Sequence, residues 1–278
     1  MRTVICKPDL DTCLAALILG VEIGDTIEIT AGKAEKSDLA NPAVRCIECG
    51  GSGQSDLNNY DHHDSDLTLA PACRQALATG RKSAPGIARL VDYVCCIDDG
   101  LPLPAEIPFP SLSNLFSGMM AITPEPLLQF RLGMSMLDTI LQQELNPFER
   151  MPDLPEWQPY SEAKRQLVQS VEKALATATL LHSHSGLTVG VLRSAAIGGA
   201  GHLYDRGCDV VILYGQLVGS LPLVKFTIAS RTENVMPLAA LLCQQEPGWG
   251  GKCHIIGSPR TGSRLNAEDV ISLVLRNC

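Results

Sequence analysis

The chain has 278 residues, of which 45% are hydrophobic, 19% charged and 4% aromatic, and its formal net charge is −8. This apolar fraction is sufficient for a packed core, which excludes a mostly disordered chain, and the length predicts two packed domains. Residues 1–186 carry a net charge of −10 and residues 187–278 one of +2. A surface that coats long nucleic acid would be basic, so the acidic first part argues against that function and favours divalent cations as ligands.

The predicted elements of the first 150 residues alternate between strands and helices. A short apolar run predicts a strand at 3–6, and the next segment, 11–19, has a helical pattern. Further strands are predicted at 25–30 and 43–48, followed by helices at 71–78, 86–96, 112–121 and 126–145. Strand, loop and helix in this order indicate a parallel sheet. We therefore predict that residues 1–150 form an α/β domain.

The rest of the chain is predicted to contain a linker and a second, smaller α/β domain. Residues 151–186 are interpreted as a proline-rich linker followed by a connecting helix at 161–181. In the second domain, 187–278, strands are predicted at 188–192, 209–214 and 223–229, and helices at 235–243 and 267–275. Because ligands often bind between domains, we predict a cleft that holds the substrate.

Neither a membrane segment nor a disulfide framework is predicted. Apolar runs such as 13–19 are far shorter than the ~20 residues that cross a bilayer. Lys7, Pro8 and Asp9 interrupt the N-terminus before a signal-peptide core can form, so we expect a cytoplasmic protein. The 11 cysteines are odd in number and scattered, which favours reduced, mostly buried thiols. The pair Cys46 and Cys49 leaves a redox or zinc alternative open.

Acidic and histidine residues stand at the ends of the predicted elements. The segment 61–64, Asp-His-His-Asp, places carboxylates beside imidazoles, a ligand mixture that suits Mn, Zn or Fe. Taken alone, it is also compatible with a solvated polar loop. Five further acidic residues lie at element ends, namely Asp9, Asp11, Glu48, Asp98 and Asp99. Since ligands gather at the carboxyl ends of parallel strands, the pattern predicts a metal site.

The order of these motifs resembles the DHH superfamily of phosphoesterases. Pro8-Asp9-Leu10-Asp11, a strand-terminal acid at Glu48, Asp61-His62-His63 and an isolated Asp98 follow one another as in that superfamily. Ser230-Arg231 and the glycine-rich stretch 248–257 resemble its associated C-terminal domain. The superfamily includes exonucleases, oligoribonucleases, cyclic dinucleotide phosphodiesterases and pyrophosphatases. The resemblance covers nearly the whole chain and implies a two-domain α/β fold.

The resemblance also implies a site with two metal ions, usually manganese, with Mg, Co or Fe as alternatives. Asp9 would ligate the first ion, Asp11 and His62 the second, and Glu48 would bridge them. The second ion would be completed by Asp98, with Asp99 as the less favoured alternative, and His63 would face the substrate phosphate or act in support of the ligands. The implied catalytic set is Asp9, Asp11, Glu48, His62, His63 and Asp98.

Substrate contacts are expected in the second domain. The resemblance places phosphate-binding groups at Arg231 and in the glycine-rich loop. Arg260 follows that loop, and its guanidinium fork matches phosphate oxygens. The complete predicted set is Arg231, Gly250, Gly251, Lys252, His254 and Arg260. Trp249 beside the loop would either stack on a base or pack under the loop.

Three positions depart from the superfamily pattern. Its first motif carries a histidine four or two residues before the first aspartate, where this chain has Ile5 and Lys7. We therefore expect weaker binding, or an empty site, for the first metal. If Lys7 points into the metal cluster, its ammonium would pair with Asp9 or hold phosphate; the alternative is that Lys7 points to solvent. Glu48 stands where an aspartate is usual, and Lys252 where a histidine is usual.

We predict an exopolyphosphatase-related phosphoesterase that hydrolyses a small phosphorylated substrate: a short oligonucleotide, a nucleotide or polyphosphate. The alternative is a degenerate member of the superfamily that binds nucleotide or phosphate without hydrolysing it. A third hypothesis is a structural protein whose C-terminal domain serves only in assembly. Short single-stranded nucleic acid and a second copy of the chain remain open as partners, and no membrane partner is expected.

Overall fold

The computed structural model describes residues 1–22, 24–63, 68–79, 84–194, 199–216, 223–259 and 261–278. The chain forms two compact units, residues 1–164 and 165–278. Each unit contains a sheet and helices, so the predicted α/β class is confirmed. Their division falls inside the stretch predicted as linker and connecting helix. Over the described ranges, none of the helices combines the length and the apolar character that a bilayer span requires.

A four-stranded parallel sheet with order β2-β1-β3-β4 forms the centre of the first unit. Its strands are β1 (Arg2–Ile5), β2 (Thr26–Ile29), β3 (Val44–Ile47) and β4 (Asn59–Tyr60). Its helices are α1 (Leu10–Ile18), α2 (Lys36–Leu39), α3 (Ala72–Ala78), α4 (Ile87–Asp98), α5 (Leu112–Ile122) and α6 (Pro126–Gln142), with short 3-10 turns at Ser55–Leu57 and Pro155–Trp157.

The register of the sheet aligns the carboxyl ends of its central strands. Ile5 at the end of β1 pairs with Ile47 at the end of β3, and Ile47 pairs with Tyr60 at the end of β4. The three segments that follow these strands therefore start at the same edge of the sheet. These segments carry most of the residues that the sequence predicts to bind metal.

Helix α1 is buried along its whole length. Every residue from Leu10 to Ile18 is buried, and the helix packs against α3, α4 and α6. Asp9 caps its start, because one carboxylate oxygen accepts the amide hydrogen of Thr12 at 3.0 Å. An apolar helix at the centre of the core holds the segment after β1 in a fixed position.

The second unit is built on a six-stranded mixed sheet with order β5-β6-β7-β8-β10-β9, in which only β6 and β7 are parallel among the described strands. Its strands are β5 (Thr179–His182), β6 (Thr188–Arg193), β7 (Val210–Gln216), β8 (Val224–Ser230), β9 (Gly250–Lys252) and β10 (Ile255–Gly257). The helices are α7 (Gln158–Leu175), whose first residues belong to the first unit, α8 (Gly199–Asp205), α9 (Met236–Gln245) and α10 (Ala267–Asn277).

Two parts of the second unit differ from the sequence-based prediction. The helix predicted at 161–181 ends at Leu175, and Thr179–His182 is instead an edge strand antiparallel to β6. This strand is mostly exposed, so it lacks the alternating apolar pattern that would have marked it. The glycine-rich stretch contains the hairpin β9–β10. A Cβ atom at Gly251 would lie 2.1 Å from the carbonyl oxygen of Ile255, so this close pairing requires glycine.

Candidate metal centre

Four segments bring carboxylates and imidazoles to the carboxyl edge of the parallel sheet. Asp9 and Asp11 lie at the start of α1, immediately beyond β1. Glu48 directly follows β3, and Asp61, His62 and His63 follow β4. Asp98 is the last residue of α4. Each side chain is thus positioned by the end of a regular element rather than by a free loop.

His62 lies at the centre of this cluster. Its Nε2 atom is 3.2 Å from Oδ2 of Asp98 and 3.7 Å from Oε1 of Glu48. This histidine belongs to two sets of potential metal ligands, and within each set the ligand atoms lie within 4.8 Å of one another. One set adds Glu48 and His63 to His62, and the other adds Asp11 and Asp98. Asp99, the alternative to Asp98, belongs to neither set in the described part of the chain.

Two buried atoms of the cluster have no hydrogen-bond partner among the described residues: Oε1 of Glu48 and Nε2 of His62. An unsatisfied buried polar group costs about 1–3 kcal/mol. A divalent cation between them would satisfy both, and carboxylate oxygen with imidazole nitrogen is a donor set that suits Mn, Fe or Zn. The residues present therefore fit a divalent metal ion.

Glu48 has a backbone conformation that side chains rarely adopt. Its φ angle is 54°, in the left-handed region, while its amide hydrogen is donated to the carbonyl oxygen of Tyr60 at 2.9 Å. For a residue with a Cβ atom this conformation costs roughly 1–2 kcal/mol. The conformation turns the chain directly after β3 and places the Glu48 carboxylate in the cluster, 6% exposed.

Asp11 is held by the start of α3. Its two carboxylate oxygens accept the amide hydrogens of Ala72 and Cys73 at 2.7 and 2.8 Å, and the residue is 1% exposed. Burial, together with the nearby charge of Glu48, raises the pKa of Asp11 to about 7. Asp11 thus serves the fold as well as the cluster.

Asp61 fixes the orientation of His63. The Asp61 carboxylate accepts the amide hydrogens of Gly50 at 2.5 Å and of His63 at 2.6 Å. Burial acts to raise the pKa of Asp61, but the hydrogen bonds from His63 and Gly50 outweigh it and lower the pKa to about 2. No separate role for Asp61 is predicted from the sequence, although its place as the first residue of the Asp-His-His motif marks it as a candidate.

His63 is a cation in the metal-free protein. Its Nδ1 atom is 3.0 Å from Oε2 of Glu48 and 3.4 Å from Oδ1 of Asp61. Contacts with Asp61 and Glu48 raise the pKa of His63 to about 10. The pKa of His62 is also raised, chiefly by its contact with Asp98. Positive charge on His63 at neutral pH suits it to contact an anionic substrate.

Asp9 forms an ion pair with Lys7, as the sequence predicts. The Lys7 Nζ atom is 2.7 Å from Oδ2 of Asp9, and the side chain of Lys7 is 59% exposed, so the pair lies at the solvent edge rather than in the interior. The other oxygen of Asp9 accepts the Thr12 amide hydrogen. Asp9 is absent from both sets of convergent ligand atoms in the described ranges.

The predicted substrate contacts of the second unit surround the end of β8 and the hairpin β9–β10. Arg231 follows β8, and its guanidinium lies 4.6 Å from the ring centroid of Tyr204. Lys252 and His254 are exposed in the hairpin, and Nδ1 of His254 is 3.0 Å from the carbonyl oxygen of Glu233. Gly250 and Gly251 form β9, while Arg260 lies outside the described residues.

The structure decides one alternative that the sequence left open, the place of Trp249. Trp249 is 5% exposed, lies 5.6 Å from the ring of Phe226 and donates to Oε2 of Glu246, so it packs under the loop. All 11 cysteines are free. Cys46 and Cys49 are buried in a small apolar cluster, and cysteine is absent from the potential ligand sets found among the described residues.

No protein-family model and no curated protein matches this chain. Its fold, however, is similar to solved structures. A pGpG-specific phosphodiesterase, PggH from Vibrio cholerae, matches with a TM-score of 0.62 and 14% identity over 99% of this chain and 98% of its own. The DHH domain of a protein described as a member of a family of ribosomal proteins matches with a TM-score of 0.51 and 10% identity, over 98% of this chain and 85% of its own.

CDC45 from Entamoeba histolytica is a third similar structure, with a TM-score of 0.53 and 9% identity over 99% of this chain and 94% of its own. All three likenesses extend over nearly the whole chain, so they include both units. They show that this chain shares its fold with these structures.

Proposed function

We propose that this chain is a metal-dependent phosphoesterase that hydrolyses a small phosphorylated substrate. The observation that carries the proposal is the convergence of Glu48 Oε1 and His62 Nε2, two buried atoms without hydrogen-bond partners among the described residues, in a cluster of carboxylates. The similar fold of a pGpG phosphodiesterase supports the same class of reaction. The expected metal is manganese or a similar ion.

The residues proposed to hold the cation are Asp11, Glu48, His62 and Asp98. When bound, a divalent cation polarises phosphate oxygens and supplies hydroxide from water at neutral pH. His63, held by Asp61 and Glu48, is proposed to donate to a substrate phosphate oxygen. Both carboxylates contact the same ring atom, Nδ1, and thereby hold one side of the imidazole in place before substrate arrives.

Arg231, Lys252 and His254 are proposed as phosphate-binding residues of the second unit. They belong to the part of the chain with net positive charge, and their side chains are exposed. The ring of Tyr204 restricts the guanidinium of Arg231, which lowers the entropy that Arg231 would lose on binding phosphate. Short oligonucleotides, nucleotides and polyphosphate are the substrate classes that this set fits.

A hydrolysis screen tests the proposal. Purified protein with added Mn²⁺ is incubated with pGpG, a mononucleotide and polyphosphate, and released products are measured. We expect turnover of at least one substrate, loss of turnover in His62→Ala, and full turnover in His182→Ala, which changes an exposed histidine of β5. Equal turnover in wild type and His62→Ala would show that hydrolysis does not depend on the proposed metal site.

The second candidate function is phosphate or nucleotide binding without hydrolysis. The pairing of Asp9 with Lys7 favours it, because this carboxylate is engaged by an ammonium rather than directed to the metal cluster. Tight, Mn²⁺-dependent binding of pGpG without product formation in the same screen would support this candidate over the enzyme.

A further inference from the structure

The Lys7–Asp9 ion pair stands beside the metal cluster. The ammonium of Lys7 contacts Oδ2 of Asp9 at 2.7 Å, and the charges of Glu48 and Asp98 also act on it. Asp9 itself is fixed as the cap of α1 through the amide of Thr12. Lys7 is therefore a fixed positive charge at the edge of an acidic cluster.

A second divalent cation at Asp9 does not fit this arrangement. One oxygen of Asp9 contacts the Lys7 ammonium, and the other accepts the amide hydrogen of Thr12. A cation bound there would lie within a few ångströms of the ammonium, and like charges at that distance repel strongly. The convergent ligand atoms of the described residues lie instead around His62.

The Lys7 ammonium retains donors for a ligand. An ammonium carries three N–H groups, and Asp9 engages one of them. With 59% of its side chain exposed, Lys7 is accessible from solvent. Lysine binds phosphate as a point charge.

We propose that this chain binds one divalent cation, at the cluster around His62, and that the ammonium of Lys7, in addition to His63, contacts the substrate phosphate in place of a second cation. This inference rests on the proposed function, since it assigns Lys7 to the same phosphate. It makes Lys7 a substrate-binding residue, with Asp9 as the residue that positions it.

Metal stoichiometry and phosphate affinity test the inference without reference to turnover. Mn²⁺ is titrated calorimetrically into metal-free wild type, Lys7→Met and Lys7→Gln, and inorganic phosphate is then titrated into each Mn-loaded protein. Lys36→Met, which removes an exposed lysine of α2, is the matched control. We expect one Mn²⁺ per chain in every protein.

Phosphate affinity should fall by about 10–100-fold in both Lys7 variants, as expected for loss of a hydrogen bond to a charged group, and stay unchanged in Lys36→Met. A wild-type stoichiometry other than one, or wild-type phosphate affinity in both Lys7 variants, would overturn the inference. Absence of hydrolysis in the substrate screen, with these binding results as expected, would overturn only the proposed function.

Discussion

Oε1 of Glu48 lies 3.7 Å from Nε2 of His62, and the residue that places it there has a left-handed backbone, with φ of 54°. The turn directly after β3 thus aims the carboxylate at an imidazole that follows β4. Glu48 thus supplies a carboxylate to the cluster and also carries a strained backbone. Substitutions that remove the carboxylate but differ in backbone preference can separate the two effects.

Glu48→Gly and Glu48→Ala should differ in stability while sharing the loss of metal. Both remove the carboxylate, but glycine adopts a positive φ without the penalty that alanine retains, so Glu48→Gly should be more stable by about 1 kcal/mol. Urea unfolding of the metal-free variants measures the difference. Equal stabilities would show that the left-handed conformation is not maintained in solution.

Single ligand substitutions should identify the metal-binding aspartate of α4. Asp98→Asn and His62→Gln should each weaken Mn²⁺ binding by at least ~100-fold, because both side chains belong to a convergent ligand set. Loss of a residue that only hydrogen-bonds to a ligand typically weakens metal binding by ~10–100-fold. Asp99→Asn is the matched control and should bind Mn²⁺ as wild type does. The reverse pattern between the two aspartates would assign the ligand to Asp99.

Asp61→Asn should lower the pKa of His63. The contacts of His63 with Asp61 and Glu48 raise the pKa to about 10, so removing the charge of Asp61 must shift it downward and leave more neutral imidazole at neutral pH. Histidine NMR titration of the metal-free protein measures this. A His63 pKa that stays near 10 would mean that Glu48 alone accounts for the shift.

Lys7→His should increase the number of bound cations. Histidine removes the ammonium that pairs with Asp9 and adds an imidazole ligand beside that carboxylate. We expect the Mn²⁺ stoichiometry to rise from one to two, with the tighter site unchanged, as measured by calorimetry and by electron paramagnetic resonance of the remaining free Mn²⁺. A stoichiometry of one would show that Asp9 is not available for a metal even without Lys7.

Glu246 should make the second unit more stable above pH 5 than below. Its carboxylate accepts from the amide of Arg264, the hydroxyl of Ser263 and the indole of Trp249. Burial, which raises the pKa, is outweighed by these hydrogen bonds, so the pKa lies below the usual 4.5. A carboxylate whose pKa is lower in the folded than in the unfolded protein stabilises the fold at pH values above its unfolded-state pKa. This stabilisation is lost as the pH falls through its folded-state pKa.

The free energy of unfolding of wild type should therefore exceed that of Glu246→Gln at pH 7, and the difference should shrink as the pH is lowered from 5 to about 3. Glu172→Gln, on the exposed face of α7, is the control and should change stability little at either pH. A wild-type advantage that is independent of pH would mean that the hydrogen bonds stabilise without the charge.

Much of the first unit could be predicted because its signals are local. Apolar runs, helical periodicity and the acidic residues at element ends follow from the order of neighbouring residues, and parallel strands bring their carboxyl ends to one edge. The resemblance to the DHH superfamily implied Asp9, Asp11, Glu48, His62 and Asp98 as metal ligands. The structure brings Asp11 and Asp98 to His62, and Glu48 to the same histidine, but leaves Asp9 outside both sets of ligand atoms in the described ranges. The Lys7–Asp9 pair was predicted because the two residues are two positions apart, on the same side of an extended segment.

The tertiary structure alone decided what depends on contacts between distant segments. The role of Asp61 depends on the amide of Gly50 in another loop, and the position of Asp11 on the amides at the start of α3. Burial of Trp249 depends on its packing against β8, and the edge strand β5 on pairing with β6. Such partners are far apart in sequence, and only the folded chain brings their hydrogen-bonding groups and apolar surfaces into contact.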